Sequence, residues 1–479
     1  MKDIIKFGIN ALSNIINGSA NAIFALVLPP LLLHKMSLEE YSLWSYALQT
    51  GALIGYLNLG VQTAVGRYVA LYIQRKEHSG ILKTLKIANN LLYKMFFLGV
   101  VFSGLLSVFI NNLVDISSSS LKESAPIIVL VISLGYTISL LTNSYYGYFI
   151  GIRKNHIPMW LNLISKIVLG IAIIAIASYG LIFMSVVFLS INVLTVLFSI
   201  IYWKRSLQVN DKEIEKNTDE KGKFIRFCLS LAVWNLGMLL VNGVNTSIVG
   251  YFSFRDVAYF SIANGLVLAL VGFLSSGLNP LIQVFTGFHE GLDKNKLSKT
   301  IVYTTRGLAI VMLLSFTTYH ILRELFLTLW MSPEYSYPVG EFIDIMIIGA
   351  CIRALNIPYA LALIATENQN KALFGALLEG VTNISLGIIF CVVFGVHAIV
   401  YAMVISSLIA TVYNVLVNMK LTYQDIPICK KQIFSLEVIL LFFSILLYQT
   451  NPNITYSLTV IAALYSAFSF RNVYREYTV

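Results

Sequence analysis

The feature that most constrains this chain is a run of apolar stretches, each long enough to cross a bilayer, joined by short connections. A spanning helix needs about 20 predominantly apolar residues, because the hydrocarbon core is about 30 Å thick. Fourteen such stretches fit the sequence: 6–33, 40–73, 87–112, 125–150, 156–178, 180–203, 224–252, 256–287, 300–329, 338–365, 370–394, 396–419, 432–449 and 454–471. The expected fold is an all-α polytopic membrane protein with little chain left for any soluble domain. Charged residues make up 12% of the sequence, against roughly 25% in soluble domains, and a water-soluble fold is excluded.

The placement of charge tests these spans independently of hydropathy. One alternate set of connections holds 25 of the 33 Lys and Arg residues, including the clusters Lys204–Arg226 and Lys294–Arg306, whereas the opposite set holds only Lys35, Lys122 and Arg255. The positive-inside rule therefore puts both termini in the cytoplasm. The excess of 33 cations over 23 acids follows membrane topology, so it does not point to nucleic acid. Cys228, Cys351, Cys391 and Cys429 lack the spacing of a metal cage and read as packing residues. The N-terminal stretch, interrupted by asparagines, reads as a retained first helix.

The longest hydrophilic segment, 204–223, divides the chain into a six-helix half (1–203), a cytoplasmic linker, a second six-helix half (224–419) and two additional helices (420–479). A shift of 218 positions lays Asn17 on Asn235 and Tyr41 on Tyr259. An even number of helices per half makes the repeat parallel, with its axis along the membrane normal.

Apart from those counted with the connections at span ends, five cations fall inside spans: Arg67, Lys94, Lys166, Arg323 and Arg353. Each costs about 2.5–3.5 kcal/mol at a helix centre on insertion scales. Lys94 and Arg323 lie near span ends, where snorkelling or a local pair accounts for them. Lys166 and Arg353 lie near mid-depth and Arg67 nearer the cytoplasm, which marks these three as candidates for a water-filled cavity. Glu379 is an acid near mid-membrane, open to two readings: pairing with Arg353 or Lys166, or taking up a coupling ion. Asn10, Asn14, Asn17 and Asn21 share one helix face, as do Asn235 and Asn242, so both sets either glue helices or line an aqueous path. Tyr136, Ser139, Asn143 and Tyr146 form another polar face, suited to sugar rings. Pro29 and Pro30 are expected to bend or break the first helix. No GxxxxGK[ST] phosphate loop occurs, so ATP hydrolysis by that device is excluded.

Leu57-Asn58-Leu59-Gly60-Val61-Gln62-Thr63-Ala64-Val65-Gly66-Arg67-Tyr68-Val69-Ala70, preceded by Glu39-Glu40-Tyr41-Ser42-Leu43-Trp44, resembles the second helix of Wzx-type polysaccharide flippases. These are members of the multidrug, oligosaccharidyl-lipid and polysaccharide (MOP) exporter superfamily. The Phe394-Gly395-Val396-His397-Ala398 turn is similar to a recurrent Gly-x-x-Gly hairpin of that group, with His397 at the second glycine position.

The resemblance implies a multi-pass protein of the bacterial inner membrane that carries undecaprenyl-pyrophosphate-linked O-antigen or similar repeat units to the periplasmic leaflet. It implies a cationic cavity with Arg67 as its motif cation, and work beside a glycan polymerase and a chain-length regulator. No metal or organic cofactor is expected. Coupling to H+ or Na+ is left open, as are the sugars of the repeat unit. The rival within the superfamily is an exporter of drugs or metabolites. A membrane glycan polymerase, an enzyme, is disfavoured by outer connections that are short and poor in acids.

Overall fold

The structure is a computed structural model that describes residues 24–75, 77–206, 218–291, 293–421 and 435–448. Every regular element among them is helical. In chain order these are α1 (Phe24–Leu33), α2 (Leu38–Ile54), α3 (Val61–Arg75), α4 (His78–Leu113), α5 (Ser119–Ser139), α6 (Thr142–Gly151), α7 (His156–Ile176), α8 (Leu181–Ser206) and α9 (Thr218–Asn242). They continue with α10 (Asn245–Phe252), α11 (Asp256–Leu278), α12 (Leu281–Glu290), α13 (Lys294–Trp330), α14 (Pro333–Ala365), α15 (Gln369–Phe394), α16 (Ile399–Leu421) and α17 (Leu436–Tyr448). Nine helices or helix pairs among the described residues are long and apolar enough to cross a membrane, and shorter apolar helices accompany them. Large apolar side chains such as Phe97, Val108 and Leu329 stand 71%, 73% and 79% exposed, the arrangement of a protein solvated by lipid. The last expected span, 454–471, and Cys429 lie outside the described residues.

Four expected continuous spans are each broken into two helices, for different local reasons. The span 40–73 breaks at a short 3₁₀ turn, Gly55–Asn58, after which Leu59 (φ 51°) and Gly60 (φ 69°) are left-handed. Asn58 holds the turn by accepting the Gly60 amide at 2.8 Å. The span 125–150 breaks between α5 and α6, where Ser139, Thr142 and Asn143 side chains donate to the carbonyls of Tyr136, Ser139 and Leu140 and so compete with the helix for acceptors. The span 224–252 breaks after Asn242, at Gly243, and 256–287 breaks at Asn279-Pro280, where proline supplies no amide donor. By contrast, α1 runs through Pro29 and Pro30 to Leu33 without a break.

The described residues pack as two compact units, one drawn from Met1–Gly265 and Ile384–Ile399, the other from Leu266–Asn383 and Val400–Val479. These boundaries do not follow the 204–223 linker, because α9 and α10 pack in the first unit. Asn235 of α9 donates to Asn58 at 2.8 Å, and Thr246 of α10 donates to Gln49 of α2. In that unit Val61, Val65, Val69 and Tyr72 bury one face of α3 against α4, α6 and α9. Close approach of α3 and α6 needs glycines: a Cβ on Gly147 would meet the Gln62 carbonyl oxygen at 2.5 Å, and one on Gly151 the Gly66 carbonyl oxygen at 2.9 Å. In the second unit Leu308, Met312 and Phe316 of α13 pack against Ile347, Cys351 and Leu355 of α14 and against Leu441 of α17.

Local devices recur along the chain. Helix α4 has 36 residues and α13 has 37, and the α5/α6 pair and α14 both span 33. Left-handed Arg153 and Glu367, both at φ 60°, stand 214 positions apart, and Gly180 and Gly395 stand 215 apart. After each left-handed residue the next amide reaches back to the same kind of acceptor, Lys154 to the Phe149 carbonyl and Asn368 to the Leu363 carbonyl, both at 2.8 Å.

Candidate functional site

The first unit encloses a cavity of about 540 Å³, bordered by α1, α2, the 55–58 turn, α3 and α5 to α8. Its polar wall is supplied by helices with stripes at i, i+3 and i+4: Asn162, Ser165 and Lys166 on α7, and Asn192 and Thr195 on α8. Asn58 and Gln62 come from either side of the α2/α3 break. Several of these groups are held rigid. Asn143 and Asn192 donate their amide nitrogens to the Leu140 and Phe188 carbonyls, each at 2.8 Å, and the Ser165 and Thr195 hydroxyls meet at 2.6 Å. The aromatic wall is Trp44, Tyr136, Tyr146 and Phe188, with Phe188 5.1 Å from the Tyr136 ring and 6.5 Å edge-on from Trp44. Gly135 makes room for Phe188, whose ring a Cβ there would meet at 2.7 Å. Amides, hydroxyls and ring faces offer donors, acceptors and flat apolar surface together. Lys166 brings the one cation among the described lining residues.

Of the candidates read from sequence, Lys166, Tyr136 and Asn143 therefore come together, with Ser139 and Tyr146 of the same face. Asn235 stands behind the wall, hydrogen-bonded to the lining residue Asn58. Arg67 does not line the cavity; it lies on the exposed side of α3 with its guanidinium carbon 4.6 Å from the Phe227 ring centre. Asn10, Asn14, Asn17 and Asn21, and the side chain of Asn242, lie outside the described residues. Asn58, Gln62, Asn162, Ser165 and Asn192 were not singled out from sequence, although the helical spacing of Asn162, Ser165 and Lys166 carries the signal.

Arg353 and Glu379 meet in the second unit. Arg353 Nε lies 2.9 Å from Glu379 Oε1 and donates to Ser407 Oγ at 3.0 Å, while Ser407 donates to the same carboxylate oxygen at 3.0 Å. The repeat gives this cluster a counterpart. Arg353 and Glu379 stand 214 positions beyond Ser139 and Ser165, and Ser407 stands 215 beyond Asn192, and all three earlier residues line the first unit's cavity. Where one unit keeps small polar side chains around a space, the other has an ion pair with its own hydroxyl partner.

Two further ion pairs in the second unit were not anticipated. Arg323 grips Asp344 with Nε at 2.8 and 2.9 Å and Nη2 at 2.8 Å, while Tyr319 donates to the same carboxylate at 2.8 Å. Arg323 thus pairs across helices rather than locally. Arg306, counted above among connection cations, lies within α13 and binds Glu437 of α17 at 2.7 Å; the glutamate side chain is 0% exposed.

The chain matches no protein-family model and no curated protein sequence. Among solved structures it is similar to the lipid II flippase MurJ in an inward closed conformation, with TM-score 0.72 and 16% identity over 98% of this chain and 99% of that one. It is also similar to an inward-facing multidrug resistance MATE family transporter of the MOP superfamily, with TM-score 0.68 and 14% identity over 88% of this chain and 99% of that one. A third similar structure is a MOP superfamily transporter from Pyrococcus furiosus, with TM-score 0.60 and 15% identity over 86% of this chain and 94% of that one. At such identities the likeness speaks for the fold alone: this multi-pass membrane protein shares its all-helical fold with these transporter structures.

Proposed function

We propose that the protein moves a lipid-linked oligosaccharide, carried on undecaprenyl pyrophosphate, from the cytoplasmic to the periplasmic leaflet of a bacterial inner membrane. The observation that carries this reading is the first unit's cavity, whose rigid amides, hydroxyls and aromatic faces suit sugar rings and whose lysine suits a phosphate. A headgroup of this kind does not cross about 30 Å of hydrocarbon unaided. Sugars exchange hydration for the Asn58, Gln62, Asn143, Asn162 and Asn192 amides, and rings stack on Tyr136 and Trp44. An inside-negative potential favours outward passage of an anion by about 2.3 kcal/mol per charge per 100 mV. The Arg353–Glu379 pair is self-neutralised and serves to close the second unit's counterpart of the cavity. The likeness to a structure described as a lipid II flippase, over almost the whole of both chains, supports a lipid-linked substrate.

The test is complementation of an O-antigen flippase deletion, with surface glycan read on a gel at matched protein levels. Glycan is restored by the wild-type chain and lost in Lys166→Ala and in Asn192→Leu. No restoration with any matched repeat unit, together with cation-driven efflux of small drugs, would transfer the protein to the exporter class of the MATE-like structure.

A further inference from the structure

Beside the polar cavity lies a second, apolar groove of about 240 Å³ between α1 and α7. Val27 and Leu28 form one wall, Ile167, Ile171 and Ile174 the other, and Gly170 forms its floor. The groove faces outward: Val27, Ile167 and Ile171 are 43%, 52% and 65% exposed, and α7 is the least buried of the candidate spans. Three residues, Phe24, Leu28 and Lys166, border both the groove and the cavity. At the far end of α1 the Lys35 ammonium donates to the Ile174 carbonyl at 2.8 Å, tying the two helices together there. Gly170 keeps the floor low; a Cβ there would already stand 3.2 Å from the Phe24 ring.

A polar chamber and an apolar, outward-facing slot thus meet at one lysine. A lipid-linked sugar has the same order of parts, with glycan, phosphate and hydrocarbon chain in sequence. We infer that the α1/α7 groove holds the first isoprene units of a polyprenyl phosphate lipid, with Lys166 on the phosphate and the sugar in the cavity. This rests on the proposed function for the sugar alone. Charge complementarity places the phosphate at Lys166, since among the described residues the rest of the groove lining is apolar and uncharged. Continuity with the cavity distinguishes the groove from an ordinary lipid-facing furrow.

The experiment uses the full chain in nanodiscs with a diazirine-bearing farnesyl monophosphate, and the matching neutral farnesol, as photoprobes. Cross-linked peptides are located by mass spectrometry. The phosphate probe is expected to label α1 and the 163–174 stretch of α7. Its labelling falls about tenfold or more in Lys166→Gln, the loss of a charge-assisted hydrogen bond, and returns in Lys166→Arg. Farnesol labelling is unchanged by Lys166→Gln, and Gly170→Leu removes labelling by both probes. Labelling spread evenly over exposed helices, including α4 at Val108, or phosphate labelling insensitive to Lys166→Gln, would overturn the assignment. Complementation separates it from the functional reading. Glycan export with an unlabelled groove sinks the groove and spares the flippase. A labelled groove without export from any matched repeat unit upholds the lipid site and sinks the flippase.

Discussion

Glu379 shows how a residue's role follows from its partners. Its depth was legible in the sequence, but its partner was not: of Arg353 and Lys166, the 2.9 Å contact is with Arg353, and the Ser407 hydroxyl donates to the same carboxylate oxygen. Removing one charge strands the other in a span, at about 2.5–3.5 kcal/mol on insertion scales. Arg353→Gln and Glu379→Gln are each expected to lower the thermal midpoint of the detergent-solubilised protein, with the double variant recovering most of the loss. Additive losses in that cycle would mean that the two groups do not interact. Arg306 was misplaced for the converse reason. The expected span 300–329 already contains it, but its place near one end of that span grouped it with the connection cations, and nothing local in the sequence points to a partner 131 positions away. Its partner Glu437, buried on α17, is expected to be needed to hold that helix: Glu437→Gln should open α17 to thiol reagents at an engineered Ser444→Cys, itself fully buried in the native packing.

At the scale of elements, spans were legible and their interruptions were not. Hydropathy is a sum over many residues, whereas a break is decided by one or two, such as Gly60 with φ 69° or Pro280 without an amide. A signal was nonetheless present. Leu57, Asn58, Gln62 and Gly66 recur as Leu278, Asn279, Gln283 and Gly287, each 221 positions on, and both sets bracket a break. Gly60→Ala is expected to destabilise by about 1 kcal/mol or more, since the left-handed backbone is strained for alanine and the new methyl runs into Leu231. Trimming Leu231 to Ala in the same chain should restore only part of that loss, because it removes the Cδ1 and Cγ contacts at 2.9 and 3.2 Å but keeps the still closer contact with Cβ and the strained backbone. Full recovery of the melting temperature would show that crowding alone holds the turn.

At the scale of the whole molecule, α4 and α13 exceed the bilayer. Thirty-six and 37 residues at 1.5 Å each make rods of about 55 Å, well beyond the hydrocarbon core, and their surplus turns carry Lys83, Lys86, Lys296 and Lys299. The charge alternation was readable because these overhangs are basic. What the sequence did not display is that equivalent positions diverge, since the offset varies between 214 and 221 along the chain and hides the match of Ser139 with Arg353. That match makes a direct test. Ser139→Arg with Ser165→Glu should fill the first unit's cavity with a copy of the second unit's ion pair, abolishing glycan export while leaving folding, judged by a monodisperse chromatographic peak, near wild type.

The described cavity wall begins at Phe24 and ends at Thr195. A recognition surface written in one uninterrupted stretch of chain can be inherited whole. If the cavity binds the glycan as proposed, a single crossover between genes near the 204–223 segment would hand a new glycan preference to the remainder of the chain, and hybrids joined there should take their sugar specificity from the parent that donates the leading portion.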